Sequence, residues 1–137
     1  IRGVAGLTRA GRFGAVPGYI ARAEDELCLI VQVETVAALA AIETIASVDG
    51  VHGLFIGPSD LAASMGYPGQ PGHANVVAAI EDAIRRIVAT GKAAGILTLD
   101  QAFARRCMAL GTTFTAVGMD IQLLVQGARG LAAAFRS

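Results

Sequence analysis

Two carboxylates, each at the end of an apolar run, are the side chains best placed to do chemistry. Glu34 ends the run L-C-L-I-V-Q-V-E, and Asp60 ends the run G-L-F-I-G-P-S-D. Two carboxylates held close together repel each other unless one is protonated or a cation lies between them. Oxygen ligands with places left for water and substrate suit Mg2+ or Mn2+, with Co2+ as an alternative, better than zinc. We therefore predict that Glu34 and Asp60 hold a divalent metal ion.

Structural roles compete with this interpretation. Glu34 could be a capping or surface carboxylate at a strand–helix junction, and Ser59 or Asp60 is well suited to cap a helix after Pro58. For either carboxylate alone, the structural role is as well supported as the metal. The repeated pattern, a strand followed by a carboxylate in a chain only 16% charged, favours the metal site. Gln32 precedes Glu34 by two residues and leaves the strand on the same side.

Apolar runs of strand length alternate with helical patterns from residue 27 onward. The predicted strands are 27–33, 53–56, 93–97 and 113–117, and the predicted helices are 36–46, a short one ending at 65, 73–90, 100–110 and 120–135. Such alternation implies a parallel α/β sheet whose carboxyl ends share one ligand-binding face. An open doubly wound sheet could be complete at this length. A (β/α)8 barrel needs about 250 residues, so this chain would supply half of one.

Several other polar residues have structural explanations. His52 precedes its strand at the end opposite to Asp60, and His73, Asp100 and Asp120 stand where helices begin. Neither histidine is a convincing general base. The helix 73–90 carries i,i+4 ion pairs opposite its apolar face, predicted between Glu81 and Arg85 and between Asp82 and Arg86. Cys28 and Cys107 are predicted to be small buried side chains in a reducing compartment.

Composition indicates one soluble domain spanning residues 1–137, and a cytoplasmic location. The chain is 54% hydrophobic, and its eleven basic residues balance eleven acidic ones, which gives no electrostatic footprint for nucleic acid or an anionic membrane. No apolar run is long enough for a transmembrane helix, and no signal peptide is recognisable. Residues 1–26 are predicted to form a loop and a short helix from about 17 to 26. The chain opens on I-R-G-V without a methionine, so we expect a fragment, a processed product or the ordered part of a longer chain.

Four segments resemble the metal-dependent (class II) 2-oxo-acid aldolases. They read L-I-V-Q-V-E-T, G-L-F-I-G-P-S-D-L-A-A-S-M-G-Y-P, G-K-A-A-G-I-L and F-T-A-V-G-M-D, and I-R-G-V and R-A-G-R-F-G near the start are similar too. The family includes 4-hydroxy-2-oxoheptanedioate aldolase and 2-dehydro-3-deoxyglucarate aldolase. The resemblance covers essentially the whole chain. It implies the C-terminal half of a TIM (β/α)8 barrel of the phosphoenolpyruvate/pyruvate type.

The resemblance also implies roles for particular residues. Glu34 and Asp60 match the metal ligands, and Gln32 matches a residue that contacts substrate. Ser59, with Gly57 and Asp60 beside it, belongs to the segment that receives the pyruvate carboxylate, and Leu97 matches an apolar wall. The family cleaves a 4-hydroxy-2-oxo acid to pyruvate and an aldehyde, with Mg2+ or Mn2+ stabilising the pyruvate enolate. Family members usually form homo-hexamers by exchanging the last helix, here residues 120–137.

The family's catalytic His and its nearby Arg belong to the N-terminal half of the barrel, and neither His52 nor His73 matches the catalytic His. We therefore expect no catalytic base in this chain, and no activity from the chain alone. Two alternatives stay open: cleavage of a sugar-derived acid such as 2-dehydro-3-deoxyglucarate, and a non-catalytic half-barrel that binds partners as a scaffold.

Overall fold

A four-stranded parallel sheet organises the chain. The computed structural model describes residues 6–136, so the I-R-G-V opening lies outside the described residues. The strands are β1 (Leu29–Val33), β2 (Val51–Ile56), β3 (Ala93–Leu97) and β4 (Phe114–Ala116), in the spatial order β1-β2-β3-β4. Each strand therefore pairs with the next one in sequence, and all three pairs are parallel. This confirms the predicted alternation of strands and helices.

Helices precede, connect and follow these strands. They are α1 (Tyr19–Arg22), α2 (Val36–Ala40), α3 (Ile42–Ala46), α4 (Pro58–Ser64), α5 (Ala74–Ala89), α6 (Gln101–Ala109) and α7 (Asp120–Ala134), with a 3-10 turn at Arg12–Gly14. The single helix predicted for residues 36–46 is wrong, because Ala41 leaves helical geometry at φ −105° and ψ 12°. The short helix predicted from about 17 to 26 is reduced to α1. None of the described helices is long and apolar enough to cross a membrane.

The hydrophobic core lies between the sheet and one layer of helices. Leu54, Ile56 and Ile96 on the strands are fully buried, as are several residues of α5 that face them. On the sheet's other face, Ile30 and Phe114 are 38% and 53% exposed. Among residues 6–136, β1 and β4 each have one edge without a strand partner. An apolar face left open and two unpaired edges are what half of a closed barrel would present.

The last helix, α7, stands apart from this core. It has no buried residue, and four large apolar side chains on it are between 58% and 67% exposed: Ile121, Leu123, Leu124 and Leu131. An amphipathic helix normally buries its apolar stripe against another surface. Within the described residues α7 buries none of its side chains against such a surface.

Local corrections concern side chains near helix and strand ends. Cys28 is exposed and precedes β1, so its predicted burial is wrong, whereas Cys107 is buried as predicted. Burial raises the pKa of the Cys107 thiol to about 11. His52 lies inside β2 rather than before it, and its Nδ1 accepts a hydrogen bond from the Leu29 backbone N–H at 3.0 Å. That contact is the structural role expected for it.

The two predicted ion pairs on α5 are present, but Glu81 lies in a different environment. The Glu81–Arg85 and Asp82–Arg86 pairs measure 3.4 and 3.7 Å. Glu81 is only 6% exposed, so its predicted position on the face opposite the core is wrong. It is buried because α6 packs beside it, and Arg106 of α6 approaches its carboxylate to 2.7 Å.

A bidentate ion pair joins α3 to α5, and its contribution to the stability of the fold depends on pH. Arg86 donates from Nε and Nη2 to the two carboxylate oxygens of Glu43, at 2.7 and 2.5 Å. These hydrogen bonds lower the pKa of Glu43 from 4.5 to about 2. Because the pKa is lowered in the folded state, the stabilisation is fully present above about pH 4.5 and is lost as the pH falls through about 2.

We expect Glu43→Gln to remove this acid sensitivity. In urea denaturation, the wild-type chain should be more stable than the variant at pH 7, and that advantage should shrink steadily between pH 4.5 and pH 2. Glu26→Gln, at an exposed position before β1, is the matched control and should change little. An advantage over Glu43→Gln that does not vary with pH would contradict the assignment.

Candidate functional site

Strand pairing brings the two predicted metal ligands to the same edge of the sheet. Val33 is the register partner of Ile56, and the Gly57 backbone N–H donates to the Val33 carbonyl at 3.2 Å. Glu34 and Gly57 are thus the first residues after two adjacent, paired strands. Asp60 follows in the first turn of α4. The prediction that these two strands are neighbours is confirmed.

Gly57 lies between the two carboxylates. A Cβ on Gly57 would stand 3.1 Å from Glu34 Oε2, 3.1 Å from Glu34 Cβ and 3.8 Å from Asp60 Oδ2. The two oxygens therefore border one small volume that only a glycine leaves free. Glu34 is half-buried and Asp60 exposed, and neither has a hydrogen-bond or ion-pair partner within residues 6–136. Two unpaired carboxylates that converge are the arrangement a cation would relieve.

The capping roles that competed for these carboxylates belong to other residues. Thr35 caps α2, where its Oγ1 accepts from the Ala38 N–H at 3.1 Å. Gly57 is the N-cap residue of α4 and Pro58 its first residue, so the prediction that Ser59 or Asp60 caps this helix is wrong. Proline is favoured at that first position because it has no N–H to satisfy and its φ is already helical. Glu34 and Asp60 are therefore free of capping bonds.

Packing holds the two carboxylate-bearing segments in place. The Val36 N–H donates to Ser64 Oγ at 3.0 Å, which joins the residues after Glu34 to the last turn of the helix that carries Asp60. Beneath them, Val33 and Leu61 are fully buried. The side chains at the edge therefore rest on a rigid base, and a site of fixed geometry needs such support.

The donor set fits a hard divalent cation and does not fit a structural zinc site. Within residues 6–136 no group of three or more His, Cys, Asp or Glu side chains could hold a metal ion together. Two carboxylates alone leave most of an octahedral shell to water and to substrate oxygens, which is how Mg2+ is usually bound. A closed zinc site would need four protein ligands.

The remaining predicted site residues occupy two places. Ser59 and Leu97 both line a cavity of about 660 Å3, whose lining includes neither Glu34 nor Asp60. The cavity lies among the start of α4, the carboxyl end of β3 and helix α6, with Phe103 and Arg106 on its α6 side. Gln32 is exposed on β1, two residues before Glu34, and does not line the cavity.

Of the other polar candidates, His73 and Asp100 cap helices as expected, whereas the expectation that Asp120 caps a helix is wrong. His73 caps α5: its Nδ1 accepts from the Asn75 N–H at 3.2 Å, and its ring stacks on Tyr67 at 3.8 Å. Asp100 caps α6, where Oδ1 accepts from the N–H groups of Ala102 and Phe103 at 2.8 and 3.1 Å. Asp120 lies in the first turn of α7, which has Met119 as its N-cap residue.

Sequence reasoning missed the charged wall of the cavity. Arg106 lines it and pairs with the buried Glu81 of α5. A signal was present in the helical pattern, because Glu81 lies three residues before Ile84 and one after Ile80, both core positions of α5. A carboxylate so close to an apolar stripe calls for a cation on a neighbouring element.

Comparison with known proteins identifies the family to which this chain is similar. Residues 6–127 match the family described as HpcH/HpaI aldolase/citrate lyase. The chain is 63% identical over 135 residues to a pyruvate aldolase of Rhizobium etli, covering 98% of this chain and 53% of that protein. It is 50% identical over 136 residues to a 4-hydroxy-2-oxo-heptane-1,7-dioate aldolase of Salmonella heidelberg, covering 98% of this chain and 52% of that protein.

A solved structure shows the same fold. The crystal structure of a HpcH/HpaI aldolase/citrate lyase family protein from Burkholderia cenocepacia superposes with a TM-score of 0.90 at 36% identity. The match covers 100% of this chain and 53% of that one, so the chain spans about half the length of the relatives it matches. Both the sequence and the fold agree with the resemblance in the four motifs. The chain therefore belongs to the HpcH/HpaI aldolase/citrate lyase family, and its four strand–helix units form the C-terminal half of a (β/α)8 barrel.

Proposed function

We propose that this chain carries the metal- and pyruvate-binding half of an aldolase that cleaves 4-hydroxy-2-oxo acids to pyruvate and an aldehyde. The observation that carries the proposal is the convergence of two unpaired carboxylate oxygens, Glu34 Oε2 and Asp60 Oδ2, on the space above Gly57. Family membership supports the aldolase chemistry. The names of the similar aldolases support a substrate that has pyruvate as one half.

Each residue of the site has a task in this proposal. Glu34 and Asp60 hold a Mg2+ or Mn2+ ion, which when bound would stabilise negative charge on the oxygens of a 2-oxo acid. Ser59 and Gly57 lie at the start of α4, beside the carboxylates, where the carboxylate end of the substrate would be received. Leu97 closes one side with an apolar wall, and Gln32 extends from β1 on the same side as Glu34.

The proton transfers need groups outside this chain. Cleavage of the bond between C3 and C4 requires a base that removes the proton of the 4-hydroxyl group, so that the aldehyde leaves as C3 takes up the electron pair. His52 and His73 are each engaged through Nδ1 in a backbone hydrogen bond, and neither lies beside the carboxylates. The base and the accompanying Arg are therefore assigned to the other half of the barrel.

A homo-oligomer assembled through α7 completes the proposal. Its exposed leucines would be buried by packing on a second copy, as the helix exchange of the aldolase family requires. The substrate is assigned to the class of 4-hydroxy-2-oxo acids, with 4-hydroxy-2-oxoheptanedioate as the first compound to test.

The proposed reaction is tested by measuring pyruvate release with a lactate dehydrogenase assay. We expect the full protein that carries this chain to cleave 4-hydroxy-2-oxoheptanedioate only when Mn2+ or Mg2+ is present. Addition of EDTA should abolish activity, and Mn2+ should restore it. The 137-residue chain alone is expected to release no pyruvate, because it lacks the base. Undiminished cleavage after metal removal, or by the chain alone, would contradict the proposal; a sugar acid such as 2-dehydro-3-deoxyglucarate is the comparison substrate.

A further inference from the structure

The cavity lined by Ser59 and Leu97 extends beyond what pyruvate needs. Its volume of about 660 Å3 falls in the range of sites that enclose whole small molecules. Ser59 and Leu97, which the proposed function places around pyruvate, form one part of its lining. The rest of the lining reaches α5 and α6, and nothing in the proposed function uses it. A second part of the substrate would fit there.

The walls of this second part are apolar. Val77 of α5, Phe103 of α6, and Leu99 and Met119 after the third and fourth strands all face the cavity. Burying a methylene group against such a surface stabilises binding because apolar area is removed from water. These apolar side chains favour a hydrocarbon segment over a sugar chain, whose hydroxyl groups would lose hydrogen bonds to water against them.

One positively charged side chain, that of Arg106, also lines this part of the cavity. Arg106 lies on the face of α6 that lines the cavity, and its Nε lies 2.7 Å from Glu81 Oε1, an ion-pair contact whose angle falls short of a hydrogen bond. Glu81 is the one acceptor that contacts the Arg106 guanidinium within residues 6–136. The terminal nitrogens of Arg106 are therefore available to a ligand.

Glu81 orients Arg106 without neutralising the wall. The Glu81 side chain is 8% exposed and is shared between Arg106 and Arg85, whose Nη2 lies 3.4 Å from Oε2. One carboxylate with two guanidinium groups leaves a net positive charge. The other charged side chain of the lining, Asp100, keeps its negative charge, but its Oδ1 accepts from two backbone N–H groups as a helix cap. Among the described residues, Arg106 is the one cation of the lining, so an anion that enters the cavity would pair with it.

We propose that Arg106 binds a terminal carboxylate on the aldehyde half of the substrate, at the end of an apolar chain that lies against Val77, Leu99 and Phe103. This inference rests on the proposed function, since it names which 2-oxo acids that site selects. Substrates with a methylene chain and a distal carboxylate are favoured over those that end in a methyl group or a hydroxyl group. Arg106 is a specificity-determining residue and takes no part in the bond cleavage.

The binding experiment uses a probe that cannot chelate a metal. Hexanoate has the apolar chain and a single carboxylate but no 2-oxo group, and hexanamide is its neutral counterpart. Both are titrated by NMR into the full protein that carries this chain, with the side-chain resonances of Leu97, Leu99 and Phe103 observed. Arg106→Met is compared with Arg105→Met, because Arg105 is the adjacent arginine of α6 and does not line the cavity.

We expect hexanoate to shift these resonances in the wild-type protein and in Arg105→Met. Its affinity should fall about tenfold or more in Arg106→Met, and hexanamide should bind the wild-type protein more weakly by a similar factor, because each change removes a charge-assisted hydrogen bond. Equal affinities for hexanoate and hexanamide would overturn the proposal, as would equal behaviour of the two variants or shifts confined to other parts of the protein. If Arg106→Met does not fold, the comparison of the two ligands on the unaltered protein decides the question.

Failure of this subsite is distinguishable from failure of the aldolase proposal. Hexanoate binding needs no metal, so Glu34→Gln should leave it intact, whereas binding of pyruvate with Mn2+ reports on the carboxylate pair. A protein that binds hexanoate at Arg106 but not pyruvate would refute the aldolase proposal. The reverse result would refute only the Arg106 subsite.

Discussion

Replacing Glu34 by Gln is expected to weaken Mn2+ binding by at least about 100-fold in the full protein that carries this chain. Loss of an outer-shell partner alone costs 10- to about 100-fold in metal affinity, and here a charged ligand itself is removed. The amide keeps the size of the side chain and its half-buried position, so the fold should be unchanged. The electron paramagnetic resonance signal of free Mn2+, followed during a titration, measures the affinity directly and does not depend on turnover.

Two companion variants make this result specific. Asp60→Asn should produce a loss of the same order, because Asp60 Oδ2 borders the same space above Gly57 as Glu34 Oε2. Asp82→Asn removes a carboxylate of the same kind from the exposed face of α5 and should leave Mn2+ binding unchanged. Tight Mn2+ binding in both Glu34→Gln and Asp60→Asn would show that the carboxylate pair is not the metal site.

The sheet was predictable because its signals are local and repeat along the chain. β1 and β3 are apolar runs of strand length bounded by polar or glycine-containing segments, and the rule that sequential strands are often neighbours then places Glu34 beside Asp60. The start of β2 was misjudged by two residues. Val51 and His52 lie in the strand because Val51 is buried and its carbonyl accepts from Lys92 Nζ at 2.6 Å, a contact between residues distant in sequence.

The ligand pair was predictable, whereas the charged wall of the cavity was not. Glu34 and Asp60 are recognisable from residue type and position, since each follows an apolar run. The contact between Glu81 and Arg106 depends on how α5 and α6 pack side by side. Helical periodicity places Glu81 on a face of its own helix, but it does not tell which side chain of another helix that face meets. The predicted i,i+4 pair between Glu81 and Arg85 is present, but the prediction leaves out the contact between Glu81 and Arg106.

Cys28 and α7 show a different reason for failure. The sequence around Cys28 reads as a buried strand, yet this residue is exposed in the structure, and the apolar stripe of α7 is exposed as well. The hydrophobic pattern of a segment reports the environment in the complete assembly. A chain that spans about half the length of its relatives leaves some of those surfaces without their partners. Pattern and exposure therefore disagree where the remaining half of the barrel would pack.

Adding a single methyl group at Gly57 is expected to damage the metal site while leaving the fold intact. Gly57 has φ −99° and ψ 93°, a conformation that alanine adopts without strain. The new Cβ would stand 3.1 Å from Glu34 Oε2 and 3.8 Å from Asp60 Oδ2, in the space where a cation would be bound. We expect Gly57→Ala to weaken Mn2+ binding by about 10- to 100-fold, the size of effect that changes around metal ligands usually have.

Gly118→Ala is the matched control for that substitution. Gly118 follows β4 as Gly57 follows β2, and a Cβ there has no atom within 4 Å. It should therefore change neither Mn2+ affinity nor the melting temperature, whereas Gly57→Ala should change the affinity much more than the melting temperature. Because both carboxylates remain charged in Gly57→Ala, a loss of Mn2+ binding would come from lost space. Unaltered Mn2+ affinity in Gly57→Ala would contradict this prediction. It would show that the cation does not occupy the volume between the two carboxylates.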